Sequence, residues 1–104
     1  MKKSRILVIE DDVQILEMLQ SYLSNEGGFQ VFSGEKLEDM SKYLKDPELR
    51  VDLILLDMML PDGNGLAFVQ KLKKDHPKLM FMTIHEKNQI GKIVLDLILV
   101  KSKI

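Results

Sequence analysis

Val51-Asp52-Leu53-Ile54-Leu55-Leu56-Asp57-Met58-Met59-Leu60-Pro61-Asp62-Gly63-Asn64-Gly65 is the stretch that decides the fold. Leu53, Ile54, Leu55 and Leu56 form an apolar run without alternation, the pattern of a strand buried on both faces in a parallel sheet covered by helices. The run ends on a carboxylate, Asp57. A turn rich in Pro, Gly and Asn follows, and a helical pattern (Leu66, Val69, Leu72) restarts after Gly65. In open α/β sheets, ligand chemistry sits just beyond the carboxyl ends of the strands. Asp57 therefore stands where a reactive group would be placed.

The preceding residues supply a matching element. Arg5-Ile6-Leu7-Val8-Ile9 is a second continuous β-rich run and ends in Glu10-Asp11-Asp12. Asp12 is a good N-cap for a first helix carrying Ile15, Leu16, Leu19, Tyr22 and Leu23 at helical spacing, which Gly27-Gly28 stops. Phe29-Gln30-Val31-Phe32 reads as a short strand. Ser33-Gly34 turns the chain into a weaker amphipathic helix with Leu37, Met40, Tyr43 and Leu44, broken at Asp46-Pro47. Downstream, a third helix is expected over about residues 66–74, ended by Asp75-His76-Pro77. Leu79-Met80-Phe81-Met82 gives a fourth strand with Thr83 at its end. The order βαβαβαβ argues a doubly wound parallel sheet with right-handed crossovers, a three-layer α/β fold.

Residues 85–104 admit two readings. Ile90, Ile93, Val94, Leu97 and Ile98 fit a helical face, while Ile98-Leu99-Val100 would equally suit a fifth buried strand. A helix, abrupt turn and strand is one version. A single helix of up to five turns, too apolar to stand alone in water, is the other.

The bulk composition narrows the function classes. The 104 residues suit a single domain spanning 1–104, with no repeat, linker or low-complexity segment. Hydrophobic residues make up 45% and charged residues 30%, with a net charge of -1, so no overall basic field recruits nucleic acid or an anionic membrane. There is no cysteine, which excludes disulfides and thiolate metal sites. The apolar run at residues 6–9 is too short for a signal-peptide core or a membrane span, and a cytoplasmic location is expected.

With the two apolar runs side by side, Glu10, Asp11 and Asp57 converge at one edge of the sheet. Like charges so close repel unless a proton or cation is shared. Oxygen ligands with room for water suit Mg²⁺, which would also shield a phosphoryl group approaching Asp57 as nucleophile. Thr83 and Lys101 would supply a hydroxyl and a cation to the phosphoryl oxygens. Met58, Met59, Met80 and Met82 are not read as a metal set. Met80 and Met82 are expected as core filler in the fourth strand, and Met59 as a loop residue.

Ile6-Leu7-Val8-Ile9-Glu10-Asp11-Asp12, and Asp57 with Pro61 and Gly65 downstream, resemble the two signature blocks of the receiver domain of two-component response regulators. The resemblance runs from Lys3 to Thr83. It implies a flavodoxin-like fold with strand order 2-1-3-4-5. It implies that Asp57 accepts a phosphoryl group from a histidine kinase or phosphotransfer protein. Mg²⁺ would be held by Glu10, Asp11, Asp57 and the backbone carbonyl of Met59. Thr83 matches the switch hydroxyl, and Lys101 is the candidate for the family's lysine. The interval from Thr83 to Lys101 is shorter than the family's by roughly four residues, about one helical turn. The aromatic position three before the lysine falls on Ile98, and the proline after it on Ser102. The fifth helix and an output domain are not expected within the chain, and the last strand is expected to be altered or missing.

Two alternatives accompany the phosphoacceptor reading, which involves no catalysis on an external metabolite. One is a remodelled receiver acting as a dimerising interaction module through residues 86–104. The other is a Mg²⁺-dependent phosphatase using an aspartyl phosphate, which generally wants a second acid where Met59 stands.

Overall fold

The computed structural model describes residues 4–46, 48–57, 59–77 and 79–84. The backbone follows β1 (Arg5–Ile9), α1 (Val13–Asn25), β2 (Gln30–Gly34), α2 (Leu37–Leu44), β3 (Leu53–Asp57), β4 (Met59–Leu60), β5 (Gly63–Asn64), α3 (Gly65–Asp75) and β6 (Met80–Ile84). Four strands form one parallel sheet in the order β2-β1-β3-β6, and β4 pairs with β5 as a small antiparallel hairpin. This is the doubly wound α/β arrangement expected from the sequence, with β6 as its fourth strand. A fifth strand, and the choice between the two readings of the last twenty residues, lie outside the described residues.

Why β1 and β3 take the centre follows from their side chains. Every residue of β3 is buried, as are the last four of β1. Such strands need helices on both faces, because side chains alternate across the sheet. Ile6, Val8, Leu53 and Leu55 point to one face and pack against Leu16, Leu19 and Leu23 of α1. Leu7, Ile9, Ile54 and Leu56 point to the other, where Leu37 and Met40 of α2 and Val69 of α3 cover them. The register sets Ile6 beside Leu53 and Ile9 beside Leu56, so the two strands end level.

Local chemistry fixes the element ends. Asp12 takes extended backbone, and its Oδ1 accepts the N–H groups of Gln14 (3.0 Å) and Ile15 (3.2 Å), closing the first turn of α1. Asp12→Ala is expected to cost about 1 kcal/mol, the usual worth of an N-cap, seen as a lower urea midpoint with an unchanged slope. Past the helix, Gly28 adopts φ 68°, a left-handed conformation that lets the chain reverse into Phe29 and the edge strand.

Three expectations need correction, the first being Met59, which lies in β4 paired with Asn64 and not in a loop. Ser33 and Gly34 do not turn the chain. They extend β2 opposite Val8 and Ile9, and the N–H of Glu10 donates to the Gly34 carbonyl (3.0 Å). The ladder with β1 outweighs the local turn preference of Ser-Gly, and the turn falls at Glu35-Lys36. Met80 is not core filler: it is 36% exposed, whereas Met82 packs against the α1-side core. Met80 stands opposite Leu53 at the start of the sheet, beyond the cover of α1, which is the sole helix on that face among the described residues. No helix among the described residues is long and apolar enough to cross a membrane.

Candidate functional site

The carboxyl ends of β1 and β3 lie level, and this brings the acids together. Asp57 is the last residue of β3 and 4% exposed. Glu10 follows the last residue of β1 and is fully buried, while Asp11 beside it is exposed. One carboxylate oxygen from each of the three lies within 4.8 Å of the others. Glu10 Oε2 and Asp57 Oδ2 are sealed from solvent. The other Glu10 oxygen, Oε1, accepts the N–H of Asp12 at 3.3 Å, so the residue that opens α1 also orients an acid of the cluster.

Two buried carboxylates and a third at the rim are costly neighbours in a medium of reduced dielectric. A hard divalent cation with oxygen ligands resolves the conflict. Two oxygens bound to one Mg²⁺ at about 2.1 Å stand roughly 3–4 Å apart. The observed spread is close to that shell. The donor set contains oxygen alone, one side is open through Asp11, and the combination fits Mg²⁺ with water or phosphoryl oxygens completing the coordination.

The segment from Asp57 to α3 is a hairpin. Met59 pairs with Asn64 and Leu60 with Gly63. Asn64 caps α3, its Oδ1 accepting the Ala67 N–H at 3.2 Å. Gly65 opens α3 against the strand end: a β-carbon there would stand 2.6 Å from the Asp57 carbonyl oxygen. Thr83 lies in β6, paired with Leu56, one register step before the Asp57–Ile84 pair. Lys101, the last member of the expected set, lies outside the described residues, as does the expected interface over 86–104.

In the sequence Asp62 is only part of the turn after Asp57. In the structure it sits at the hairpin tip and reaches helix α2. Its Oδ1 accepts the N–H of Leu37 at 2.9 Å and its Oδ2 that of Glu38 at 3.0 Å. The Leu37 amide is the chief cause of a carboxyl held below the usual aspartate range. Modest desolvation works against it, and the Glu38 amide and the Lys36 charge act with it. No local pattern announces a contact spanning 25 residues in sequence. The one available hint is Lys36, which occupies the N-cap of α2 with no acceptor to offer.

Comparisons with known proteins agree with the geometry. A sequence model described as the response regulator receiver domain matches residues 6–100. Over 71 residues, 68% of the chain, the sequence is 42% identical to the phosphate regulon transcriptional regulatory protein PhoB of Klebsiella pneumoniae and 41% identical to that of Escherichia coli strain K12. The match spans 30% of the length of those relatives. Among solved structures, the MaeR response regulator bound to beryllium trifluoride superposes with a TM-score of 0.70 at 29% identity, covering 88% of this chain and 76% of that one. The non-phosphorylated HemR receiver domain of Leptospira biflexa gives 0.69 at 26% identity, covering 97% and 92%.

Proposed function

The chain belongs to the response regulator receiver domain family, and from that premise we propose that Asp57 accepts a phosphoryl group from the phosphohistidine of a sensor kinase or phosphotransfer protein. An Asp57 oxygen attacks phosphorus. The new O–P bond forms as the N–P bond breaks, and the electron pair leaves with the donor's imidazole nitrogen. Water later hydrolyses the acyl phosphate and returns the carboxylate. Glu10, Asp11, Asp57 and the Met59 carbonyl would hold Mg²⁺, which when bound offsets the negative charge of the acids and the phosphoryl oxygens.

The chain's own residues contribute position. β3 delivers Asp57 at the edge of the sheet, and Gly65 lets α3 start in contact with its carbonyl. Glu10 is held by a backbone bond to Gly34 and by the Asp12 amide. Thr83, on the neighbouring strand, and Lys101 are assigned to the phosphoryl oxygens. The signalling role is carried out in the cytoplasm through protein partners, with no direct nucleic-acid contact by this domain.

The observation that carries the reading is the meeting of Glu10, Asp11 and Asp57 within 4.8 Å. Acetyl phosphate, a small acyl donor, tests it without a cognate kinase. Intact-mass measurement is expected to show one added phosphoryl group in the presence of Mg²⁺ and none in EDTA, with peptide mapping to Asp57. A folded protein that takes no label, or takes it elsewhere, would overturn the assignment.

A further inference from the structure

We infer that Asp62 is a positioning residue for the cation site, coupling the first turn of α2 to the hairpin that follows Asp57. The inference rests on the reading of Glu10, Asp11, Asp57 and the Met59 carbonyl as the ligands of Mg²⁺. Helix N-termini leave backbone N–H groups unsatisfied, and a local Ser, Thr, Asn or Asp usually accepts them. In α2 that position holds Lys36, and the acceptor comes instead from Asp62, on the same hairpin as Met59.

Apolar packing reinforces the tether. Leu37 is buried in the same cluster as Leu60, and its Cδ1 lies 3.0 Å from where a β-carbon on Gly63 would stand. On the other side, Asp39 Oδ2 accepts the N–H groups of Glu35 (2.9 Å) and Lys36 (3.2 Å), fixing the turn that leads from Gly34. Gly34 in turn accepts the Glu10 N–H. A closed circuit therefore runs from Glu10 through the end of β2 and the start of α2 to Asp62 and the Met59 hairpin. Both backbone segments that bring ligands to the cation are anchored on one helix end. By thermodynamic reciprocity, an ion that draws those segments together must tighten the Asp62 contacts, and loss of those contacts must weaken the ion by the same factor.

The experiment titrates Mg²⁺ calorimetrically into wild type, Asp62→Ala, Asp62→Asn and Asp52→Ala, and follows hydrogen exchange at the Leu37 and Glu38 amides by NMR. Asp52 is the matched control. Its Oδ2 accepts the Arg5 N–H at 2.8 Å across 47 residues, but at the opposite end of the sheet. Mg²⁺ is expected to slow exchange at Leu37 and Glu38 in wild type. Asp62→Ala should bind Mg²⁺ about fivefold or more weakly, the lower end of ordinary coupling between sites, with amides that no longer respond. Asp62→Asn keeps one acceptor and should recover part of the affinity, while Asp52→Ala should match wild type. Equal affinity in wild type and Asp62→Ala overturns the inference, as does an equal loss in Asp52→Ala. Unresponsive Leu37 and Glu38 amides in Mg²⁺-bound wild type overturn it without any variant. A wild type that takes up no Mg²⁺ overturns the ligand reading and this inference with it.

Discussion

Asp57→Asn is expected to take no label from acetyl phosphate and, in Mg²⁺-free buffer, to melt several degrees above wild type. Loss of label follows because an amide oxygen is a far poorer nucleophile than the carboxylate it replaces. The gain in stability follows from the crowding of the acids. At 4.8 Å, the widest spacing of the three acids' facing oxygens, unit charges repel by about 1 kcal/mol at the dielectric of water and about 3–4 kcal/mol at the effective value near a protein surface. Glu10 and Asp57 are both shielded from solvent, and Asp11 is not, so the Glu10–Asp57 term dominates. Replacing Asp57 by its neutral isostere removes that term and leaves the packing of β3 in place. A net gain of about 1–3 kcal/mol corresponds to several degrees in a domain of this size. Mg²⁺ should reverse the ranking. It stabilises wild type by mass action, about 2.7 kcal/mol at a hundred times the dissociation constant, and should scarcely move the variant. The diagnostic is the pair of melting curves with and without Mg²⁺. A variant that melts below wild type in EDTA and gains as much from Mg²⁺ would place the ion elsewhere.

That acid cluster could be read in the sequence because each member is tied to a strand end, and strand ends are marked by a change of chemistry. Ile9 to Glu10 and Leu56 to Asp57 are abrupt steps from apolar to acidic. Once both runs are recognised as buried strands, their adjacency in a doubly wound sheet brings the acids together. The same logic gave the layers, since Leu16, Leu19 and Leu23 repeat at helical spacing and do pack on β1 and β3. Boundaries were less legible. Ser33-Gly34 looks like a turn locally, but a strand's length is set by its partner, and β1 continues to Ile9. Met80 looks like core by composition, but its exposure depends on which helix covers the start of β6.

Asp62 is the clearest case of information absent from local sequence. Within Pro61-Asp62-Gly63 an aspartate needs no explanation beyond the turn. Its function becomes visible only when the hairpin and α2 are set side by side, where the carboxylate replaces the acceptor that Lys36 lacks. Capping from a distant loop has a consequence that local capping does not. The stability of α2's first turn is made conditional on the position of the Met59 hairpin. The hairpin that follows Asp57 is thus held to α2 by polar contacts between separate segments as well as by the packing of Leu37 against Leu60.

Gly65→Ala is expected to lower stability by about 1–2 kcal/mol and to slow labelling at Asp57, although the substitution adds a single methyl group at a helix start. In the unfolded chain alanine has less freedom than glycine, which on its own favours the variant by about 0.4–1 kcal/mol. The folded state loses more. The new β-carbon would stand 2.6 Å from the Asp57 carbonyl oxygen and 3.0–3.1 Å from the Leu56 side chain. A main-chain oxygen at the end of a buried strand cannot rotate away, and overpacking of this kind costs about 1–3 kcal/mol. Relief requires α3 to withdraw from β3, which carries Val69 away from the α2-side core and shifts the backbone of Asp57 itself. Stability and chemistry should therefore fall together, read as a lower urea midpoint and a slower rise of the acetyl-phosphate adduct at saturating Mg²⁺. A variant with the wild-type midpoint and the wild-type rate would mean that α3 does not rest on the backbone of Asp57, and that the positioning of Asp57 is owed to β3 alone.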